Sequence, residues 1–466
     1  MAVAAALPAF QRHSERLLIP NMRTTLKRLC SSPTFIAITT LALRLAGVLV
    51  AYKWKPWLVA NMSSTGGEVI QVARSILSGK GFGNPMHILP SDTGPTAWLC
   101  PVYPYIVAGV SRLTGIHTVK STLILVALNC VFVGLTIFPI YAIARRTFGE
   151  RAAVIACWIW VLIPSAWNIP TRFVWDSTLN AFSFAVIFWA TLAVLAQRRL
   201  WSWLLYGLSW AMGVLINASI LSLSPFVFAW LLWQLRKQSP SYFKFVATAA
   251  LTFALGVAPW SIRNYLVFGK FIPIRSNLGL VLWMGNHEGS FGFDASLSPY
   301  WNLDEAKLYQ KMGEVAYMKE KKREAIAFMK SHPATALKST LRNVWTFWFD
   351  VTNHLANPWR GPQLASVDLT CNAIVIFCCL LGIFLALHAR NPAAPLYLAV
   401  LVFFPLVHYV TRPAVRFRFA IEPILVVLAG YGAVHALEWI RAMVSKRAPQ
   451  GLLDRADGLQ EKTAVP

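Results

Sequence analysis

The segment TLILVALNCVFVGLTIFPIYAIA at residues 122–144 contains no charged side chain and is followed directly by Arg145 and Arg146. A helix needs about 20 consecutive apolar residues to cross the hydrocarbon core of a bilayer. A basic pair directly after such a stretch is typical of a loop on the cytoplasmic side. The segment therefore predicts a membrane-spanning helix and an all-α membrane protein.

The composition of the 466-residue chain supports this interpretation. Hydrophobic residues make up 56% of the chain and charged residues 13%, which is about half the charged fraction of a soluble domain. The net charge of +24 is also a property of nucleic-acid-binding proteins. Here, however, the basic residues stand in short clusters between apolar runs, as in loops beside a membrane. We therefore expect membrane lipids around the chain and no nucleic-acid partner.

Apolar runs of this kind recur along the chain and predict about ten membrane-spanning helices. The predicted spans are residues 33–51, 122–144, 152–167, 177–196, 201–220, 221–235, 243–260, 369–387, 394–410 and 419–440. With the N-terminus inside, every short loop that carries a basic cluster faces the cytoplasm, as the positive-inside rule requires. Residues 1–32 then form a cytoplasmic segment, residues 33–440 the membrane domain, and residues 441–466 a disordered cytoplasmic tail.

Two long segments remain on the outer side, at residues 52–121 and 263–368. In the first, apolar residues after Glu68 recur at helical spacing, and residues 101–115 are apolar but too short to cross a bilayer. Both stretches predict helices that lie in the membrane interface. In the second, Asn302 followed by Glu305 predicts a capped helix start.

Glu68 stands at the start of the first interfacial helix, on its polar face. The spacing of Thr65 and Glu68 is that of a capping box, which would give Glu68 a purely structural role. Alternatively, a carboxylate at the bilayer edge is partly desolvated and suited to act as a general base. The residues alone favour neither role.

Three motifs resemble bacterial GT-C glycosyltransferases of the family-39, dolichyl-phosphate-mannose-protein mannosyltransferase-like group. The first motif is GGEVIQVARSILSGKGFGNP at residues 66–85 with TGPTAWLCPVYPYIVAGVSRLTG at residues 93–115. The second is PWSIRNYLVFGKFIPIRSNLGLVLWMGNHEGSFG at residues 259–292, and the third is RFRFAIEPI at residues 416–424. They occur in the order that the family shows and cover nearly the whole chain.

The resemblance implies a GT-C fold with interfacial helices in a large first outer loop. It also implies transfer of a sugar from a polyprenyl-phosphate donor to an acceptor hydroxyl, on a lipid, a glycan or a protein, at the outer face of the bacterial inner membrane. The family's catalytic carboxylate opens the first loop helix, commonly within an Asp-Glu pair. The matching positions here are Gly67 and Glu68, so Glu68 alone would be the base.

Departure of the polyprenyl phosphate requires positive charge near the developing anion. The predicted topology places four arginines on the outer side, near the ends of spans: Arg263, Arg275, Arg416 and Arg418. Guanidinium groups suit two-point binding of phosphate, although snorkelling or loop salt bridges would also explain single members of the set. On an extended segment, Arg416 and Arg418 would face the same side.

Further polar residues are candidates for acceptor contact or support of the site. Asp176 enters a span after a short outer loop, where it either caps the helix or faces the substrate. His87 and Asp92 lie between the two interfacial helices, and Tyr103 opens the second of them. Arg44, inside the first span, is expected to pair internally or to snorkel. The absence of metal-binding and nucleotide-binding motifs predicts no metal and no cofactor.

A non-enzymatic transporter or lipid flippase is the alternative function. Such proteins commonly show two-fold repeats and interrupted helices at the membrane midplane. The chain shows no internal repeat, although Pro164, Pro225 and Pro405 interrupt predicted spans. Its outer segments are long and rich in motifs whereas its inner loops are short, and this asymmetry favours an enzyme.

Overall fold

The protein is helical almost throughout. The computed structural model describes residues 24–54, 66–236, 242–287, 297–349 and 362–447. Within these ranges, the β-type pairing is confined to an isolated bridge between Gly83 and Pro95. The predicted all-α class is therefore confirmed. Residues 1–23 and 448–466, which make up most of the two predicted cytoplasmic termini, lie outside the described residues.

Helices are numbered here in chain order. Those before residue 220 are α1 (Pro33–Trp54), α2 (Gly67–Leu77), α3 (Val102–Thr114), α4 (Val119–Leu135), α5 (Ile137–Phe148), α6 (Glu150–Leu162), α7 (Ser165–Arg172), α8 (Ser177–Val194) and α9 (Leu200–Ile216). Those after it are α10 (Ser224–Leu235), α11 (Tyr242–Phe268), α12 (Leu278–Gly285), α13 (Leu303–Met312), α14 (Glu314–Ser331), α15 (Pro333–Phe349), α16 (Pro362–His388), α17 (Ala394–Val410), α18 (Val415–Arg418) and α19 (Glu422–Arg447).

Seven stretches of the described chain are helical, long and apolar enough to cross a membrane, and the bent pair of α6 and α7 makes up to eight. The helices α9 and α17 are also apolar but have 17 residues each, fewer than the roughly 20 that a crossing requires. Each of the ten predicted spans thus falls on an apolar helix. The protein is a multi-pass membrane protein, and the count of ten stays a prediction.

The predicted boundary at residue 220 is displaced. Helix α9 ends at Ile216, and Asn217 caps a 3-10 helix at Ala218–Leu223, accepting a hydrogen bond from the Ser219 amide at 3.0 Å. Asparagine competes well for backbone amides, so it ends the α-helical run earlier than the apolar pattern indicates. As a result, residues 217–219 form a turn between the two apolar helices.

Helix α11 is longer than predicted and continues to Phe268, past Pro259. Within it, the side-chain amide of Asn264 donates to the carbonyl oxygens of Ile272 and Ile274, at 3.0 and 3.2 Å. These bonds tie the end of the helix to the irregular segment that follows. Arg263, predicted to open the second outer loop, is therefore a helical residue.

The two predicted interfacial helices are present as α2 and α3, and they pack against each other. Their apolar residues at helical spacing are buried, including Val72 and Ala73 in α2 and Val107 in α3. Neither helix is long enough to cross a bilayer.

The predicted cap at Asn302 is confirmed in part. Its side chain accepts hydrogen bonds from the amides of Asp304 and Glu305, both at 3.0 Å. The Glu305 carboxylate does not return to the cap, because it accepts from Tyr317 at 2.6 Å and from Lys321 at 2.9 Å. Helices α13 and α14 are thereby joined.

Arg44 is buried and paired internally, at the break between α6 and α7. Its Nε donates to the carbonyl oxygen of Ala166 at 2.8 Å, and one terminal nitrogen donates to those of Trp160 and Val161 at 3.2 and 3.3 Å. A break in a helix leaves carbonyl groups without their usual amide partners. Arg44 supplies the missing donors.

Candidate active site

A cavity of about 340 Å³ lies where the ends of several helices meet. Its wall is formed by α2 and α3, the start of α8, the turn at residues 217–219, helix α12 and the segment that follows α17. The polar and charged lining residues are Glu68, Tyr103, Asp176, Ser177, Asn217, Ser219, Arg275, Asn277, Ser298, His408, Thr411, Arg412 and Arg416. Cavities that combine an apolar wall with a few converging polar groups are characteristic of small-molecule sites.

Glu68 lines this cavity and is half-buried. Helix α2 begins at Gly67 with Gly66 as its N-cap, one position later than the predicted capping box requires. Thr65 itself lies outside the described residues. The capping-box interpretation, which involves Thr65, therefore stays a prediction, and the Glu68 side chain lies on the cavity wall.

Gly67, where the resemblance would place a first acid, has a backbone conformation that favours glycine. Its φ is +46°, in the left-handed region that favours glycine. A Cβ atom at this position would lie 3.3 Å from the indole ring of Trp175. A side chain at position 67 would therefore be strained and would crowd the Trp175 ring.

Two of the four predicted phosphate-binding arginines, Arg275 and Arg416, line the cavity. The Nε of Arg275 donates to the carbonyl oxygen of Trp98 at 3.2 Å, and the Arg416 guanidinium lies 4.2 Å from the ring centroid of Trp175. A third arginine on the described wall, Arg412, was not predicted as a site residue.

The three guanidinium groups are close enough to affect one another. Burial, and after it the positive charge of Arg416, lowers the pKa of Arg412, whereas Glu68 acts in the opposite direction. Arg275 also lowers the pKa of Arg412. Positive charges held together in a partly desolvated cavity are stabilised by an anion that binds among them.

Arg418 and Arg263 are placed elsewhere. Arg418 is buried and pairs with Glu422 at 2.9 Å, and it also donates to Asn372 at 3.1 Å. Residues 415–418 form the helical turn α18, so Arg416 and Arg418 face different directions and not the same side as predicted. Arg263 donates to the carbonyl oxygens of Thr96 and Phe82, both at 2.8 Å. Neither side chain is on the described cavity wall.

Asp176 and Tyr103 are on the wall as predicted residues of the site. Asp176 forms no capping bond to a described residue of α8, and it accepts a hydrogen bond from the side-chain amide of Asn217 at 2.7 Å. Burial raises the pKa of Asp176, whereas Asn217, Arg275 and Arg416 lower it. The hydroxyl of Tyr103 points towards Asn129, at 3.4 Å.

His87 and Asp92 lie outside the cavity lining formed by the described residues. His87 is exposed and contacts Tyr300, with ring centroids 4.2 Å apart and the rings tilted by 36°. Burial lowers the pKa of His87, and the negative charge of Glu68 opposes this effect. Asp92 forms an exposed salt bridge with Lys80. Its side chain is therefore engaged on the surface, away from the site.

The segment that carries Arg412 is held by α12. The side-chain amide of Asn286 donates to the carbonyl oxygen of Val410 at 2.7 Å. A Cβ atom at Gly285 would lie 1.8 Å from the carbonyl oxygen of Thr411, so this approach requires glycine. The second motif thus contacts the chain at residues 410–411, shortly before the third motif, which sequence reasoning did not anticipate.

His408 and Asn217 are further wall residues that the sequence did not reveal. His408 is buried against Phe404 and Phe417, and its Nε2 has no hydrogen-bond partner among the described residues. Its position inside an apolar run gave no signal. Arg412 did give a signal in the sequence, because it precedes Arg416 by four residues. Across the described ranges, no group of three or more His, Cys, Asp or Glu residues is arranged to hold a metal ion.

Comparisons with known proteins agree with the resemblance. The family model described as dolichyl-phosphate-mannose-protein mannosyltransferase matches residues 95–262. No curated protein matches the chain significantly.

Among solved structures, the archaeal oligosaccharyltransferase AglB from Archaeoglobus fulgidus, in complex with an inhibitory peptide and a dolichol-phosphate, is similar with a TM-score of 0.50 and 15% identity. The similarity covers 89% of this chain and 52% of that one, so the chain spans about half the length of the oligosaccharyltransferase. ArnT from Cupriavidus metallidurans, bound to undecaprenyl phosphate, matches with a TM-score of 0.36 and 13% identity over 84% of this chain and 77% of its own. The chain has a GT-C glycosyltransferase-like fold, and its resemblance to the dolichyl-phosphate-mannose-protein mannosyltransferase group is confirmed.

Proposed function

We propose that the protein transfers a sugar from a polyprenyl-phosphate donor to an acceptor hydroxyl inside this cavity. The observation that carries the proposal is the presence of Glu68 and three arginines, Arg275, Arg412 and Arg416, on the wall of the same 340 Å³ cavity. A carboxylate and an anion-binding cluster are the two elements that such a transfer requires from the protein.

The arginines would bind the phosphate of the donor. Guanidinium groups form two-point hydrogen bonds to phosphate oxygens and remain cationic near neutral pH. Their charge also stabilises the negative charge that develops on the phosphate as its bond to the sugar breaks. Arg275 and Arg416 keep the role predicted for them, and Arg412 joins them.

Glu68 would act as the general base. The acceptor oxygen attacks the anomeric carbon of the donor sugar, and the bond from that carbon to the phosphate oxygen breaks. The acceptor proton passes to Glu68, and the electron pair of the broken bond leaves with polyprenyl phosphate. General-base assistance of this kind contributes roughly two to four orders of magnitude in rate.

Asp176 would support the acceptor. Because burial raises its pKa, this carboxyl takes up a proton more readily than an exposed aspartate. Its hydrogen bond to Asn217 fixes its orientation on the wall. It would hold a hydroxyl of the acceptor, or of the donor sugar, while Glu68 takes the proton. Tyr103 would contribute to the same wall.

The reaction is proposed to take place on the outer side of the bacterial cytoplasmic membrane, with both termini in the cytoplasm. Support comes from the basic residues of the short loops, which the positive-inside rule places in the cytoplasm. Residues of the two long segments, which the same rule assigns to the opposite side, form part of the cavity wall. The oligosaccharyltransferase whose fold is similar was solved with dolichol-phosphate and a peptide, which favours a lipid-linked donor for this chain as well.

The proposal is tested by donor turnover with purified protein in detergent micelles. A panel of polyprenyl-phosphate sugars is supplied together with a membrane extract as the source of acceptor hydroxyls, and the release of polyprenyl phosphate is measured for the wild type and for Glu68→Gln. The matched control is Glu320→Gln, which changes a carboxylate in a surface pair with Arg323. We expect turnover in the wild type and the control, and a fall of about two to four orders of magnitude in Glu68→Gln.

Two results would count against the proposal. Consumption of donor by Glu68→Gln at the wild-type rate would exclude Glu68 as the base. Failure of the folded wild type to bind or consume polyprenyl-phosphate donors would remove the transferase function itself.

A further inference from the structure

Glu314 is a buried carboxylate that receives hydrogen bonds from both long outer segments. Its Oε1 accepts from the amide of Ala97 at 2.7 Å and from the hydroxyl of Ser276 at 2.6 Å. Its Oε2 accepts from the hydroxyls of Thr96 and Tyr309, at 2.5 and 2.7 Å. Only 5% of the residue is exposed. We call these five residues the outer-loop junction.

The outer-loop junction adjoins the cavity wall. Ser276 donates its amide to the carbonyl oxygen of Ala97 at 2.8 Å, and Arg275, the preceding residue, donates to that of Trp98 at 3.2 Å. The amide of Trp98 donates to the Thr96 hydroxyl at 3.0 Å. Arg275 and Trp98 both line the cavity, so each is one or two residues from a group that Glu314 binds.

Arg263 strengthens the same connection from the membrane side. It donates to the carbonyl oxygens of Thr96 and Phe82, and its guanidinium lies 5.0 Å from the ring centroid of Trp260. Arg263 thus holds the backbone on which the junction is built, which accounts for its place outside the cavity wall.

Glu305 offers a comparison within the same outer segment. It too accepts a tyrosine hydroxyl and a second donor, from Tyr317 and Lys321. These contacts join α13 to α14 and do not involve the described residues 96–98 or 275–276. Glu305 therefore serves packing between helices, whereas Glu314 joins two segments that each supply a cavity residue.

We infer that Glu314 is a positioning residue for the donor phosphate: through Ser276 and residues 96–98 it fixes Arg275 and Trp98 on the cavity wall. The inference rests on the proposed function and deepens it. Arginine binds phosphate through a planar fork, so its affinity depends on orientation. Hydrogen bonds among buried polar groups give a unique arrangement when each partner is satisfied.

Two substitutions separate positioning from charge. In Glu314→Gln the amide oxygen can keep the contacts of Oε1 to Ala97 and Ser276. Its NH2 group then meets the hydroxyls of Thr96 and Tyr309, which can accept as well as donate. Glu314→Ala removes every bond. A positioning role predicts a small effect of glutamine and a large effect of alanine.

The experiment measures binding of undecaprenyl phosphate to the full-length protein in detergent micelles, with a polyprenol that lacks the phosphate as the reference ligand. Glu314→Ala is expected to weaken phosphate-dependent binding about tenfold or more, and Glu314→Gln less than about threefold. Glu305→Ala is expected to lower the melting temperature while leaving the affinity of the folded fraction unchanged.

The outcomes are distinguishable. If Glu314→Ala lowers the melting temperature but its folded fraction binds undecaprenyl phosphate as the wild type does, Glu314 is structural and the inference is wrong. An equally large loss in Glu314→Gln would show that charge matters more than placement, which also overturns it. If the wild type binds undecaprenyl phosphate and the polyprenol equally well, the proposed function is wrong. The role of the outer-loop junction in donor binding is then wrong as well.

Discussion

The guanidinium of Arg416 lies over the indole ring of Trp175, 4.2 Å from its centroid. The same ring approaches the backbone of Gly67, next to the proposed base, and Trp175 directly precedes Asp176. The Trp175 side chain therefore contacts both Arg416, which is proposed to bind the phosphate, and the start of the helix that carries Glu68. The spacing between the base and the anion-binding cluster depends on this residue.

Trp175→Leu should weaken donor binding, because it removes the aromatic face that orients Arg416. Cation–π contacts of this kind contribute about 0.5–2 kcal/mol, which corresponds to a loss of affinity of up to roughly thirtyfold. Trp175→Phe keeps a ring and should retain most of the binding. Trp439→Leu, at a tryptophan that is 62% exposed, is the control. Equal binding by Trp175→Leu and the wild type would contradict this role.

Gly67→Asp, which restores the acidic pair of the family, should inactivate the protein instead of improving it. A side chain at φ +46° costs about 1–3 kcal/mol, and its Cβ would lie 3.3 Å from the Trp175 ring. Gly67→Ala should therefore show a similar loss. The control is Gly109→Ala in α3, where an added Cβ meets no atom within 4 Å. Full turnover by Gly67→Asp would refute the strain expected at position 67.

Arg416→Ala should mainly weaken donor binding, whereas Arg418→Ala should mainly lower the stability of the protein. The first removes a cavity cation, so donor affinity should fall while the melting temperature changes little. The second leaves Glu422 buried without its partner, which typically costs about 3–5 kcal/mol. Thermal unfolding and binding of undecaprenyl phosphate, measured side by side, distinguish the two. A strong loss of binding by a stable Arg418→Ala protein would show that Arg418 takes part in phosphate binding after all.

Asp176 should make stability depend on pH. Its pKa in the folded protein is raised above the ordinary value of 3.8, chiefly by burial. The folded state then holds the proton more tightly than the unfolded state, so this contribution is fully present below the ordinary pKa. It is lost as the pH rises through the raised pKa. Asp176→Asn does not titrate and should gain stability relative to the wild type as the pH rises. A constant difference in melting temperature across the pH range would show that Asp176 has no such effect.

Topology can be tested with reporter fusions. Fusions after Arg146, Arg199 or Arg390 should report a cytoplasmic location, and a fusion near Asn286 should report an external one. A reporter that is active only outside the cytoplasm, compared with one that is active only inside it, gives the measurement. An external signal after Arg199 would overturn the ten-span arrangement.

The membrane class, the interfacial helices and several wall residues could be predicted from the sequence, because they follow from apolar periodicity and from local motifs. The directions in which Arg416 and Arg418 point could not be predicted from the sequence, because they depend on whether residues 415–418 are extended or helical. Glu314 gave no local signal at all. Its partners Thr96 and Ala97 are 218 and 217 residues away in the chain, and such contacts are visible only in the folded structure.

The corner between α6 and α7, bent by 49°, has a mechanical consequence. Arg44 holds carbonyl groups on both sides of the break and also one of its own helix, that of Thr40 at 3.1 Å. A rotation of α7 against α6 would break these bonds in an apolar interior, where each lost bond is costly. The corner between α6 and α7 is therefore rigid and does not act as a hinge. Since α7 lies just before Trp175 and Asp176, we expect this side of the cavity to stay fixed, and any widening that admits the proposed lipid-linked donor to come from the two long segments that form the rest of the wall.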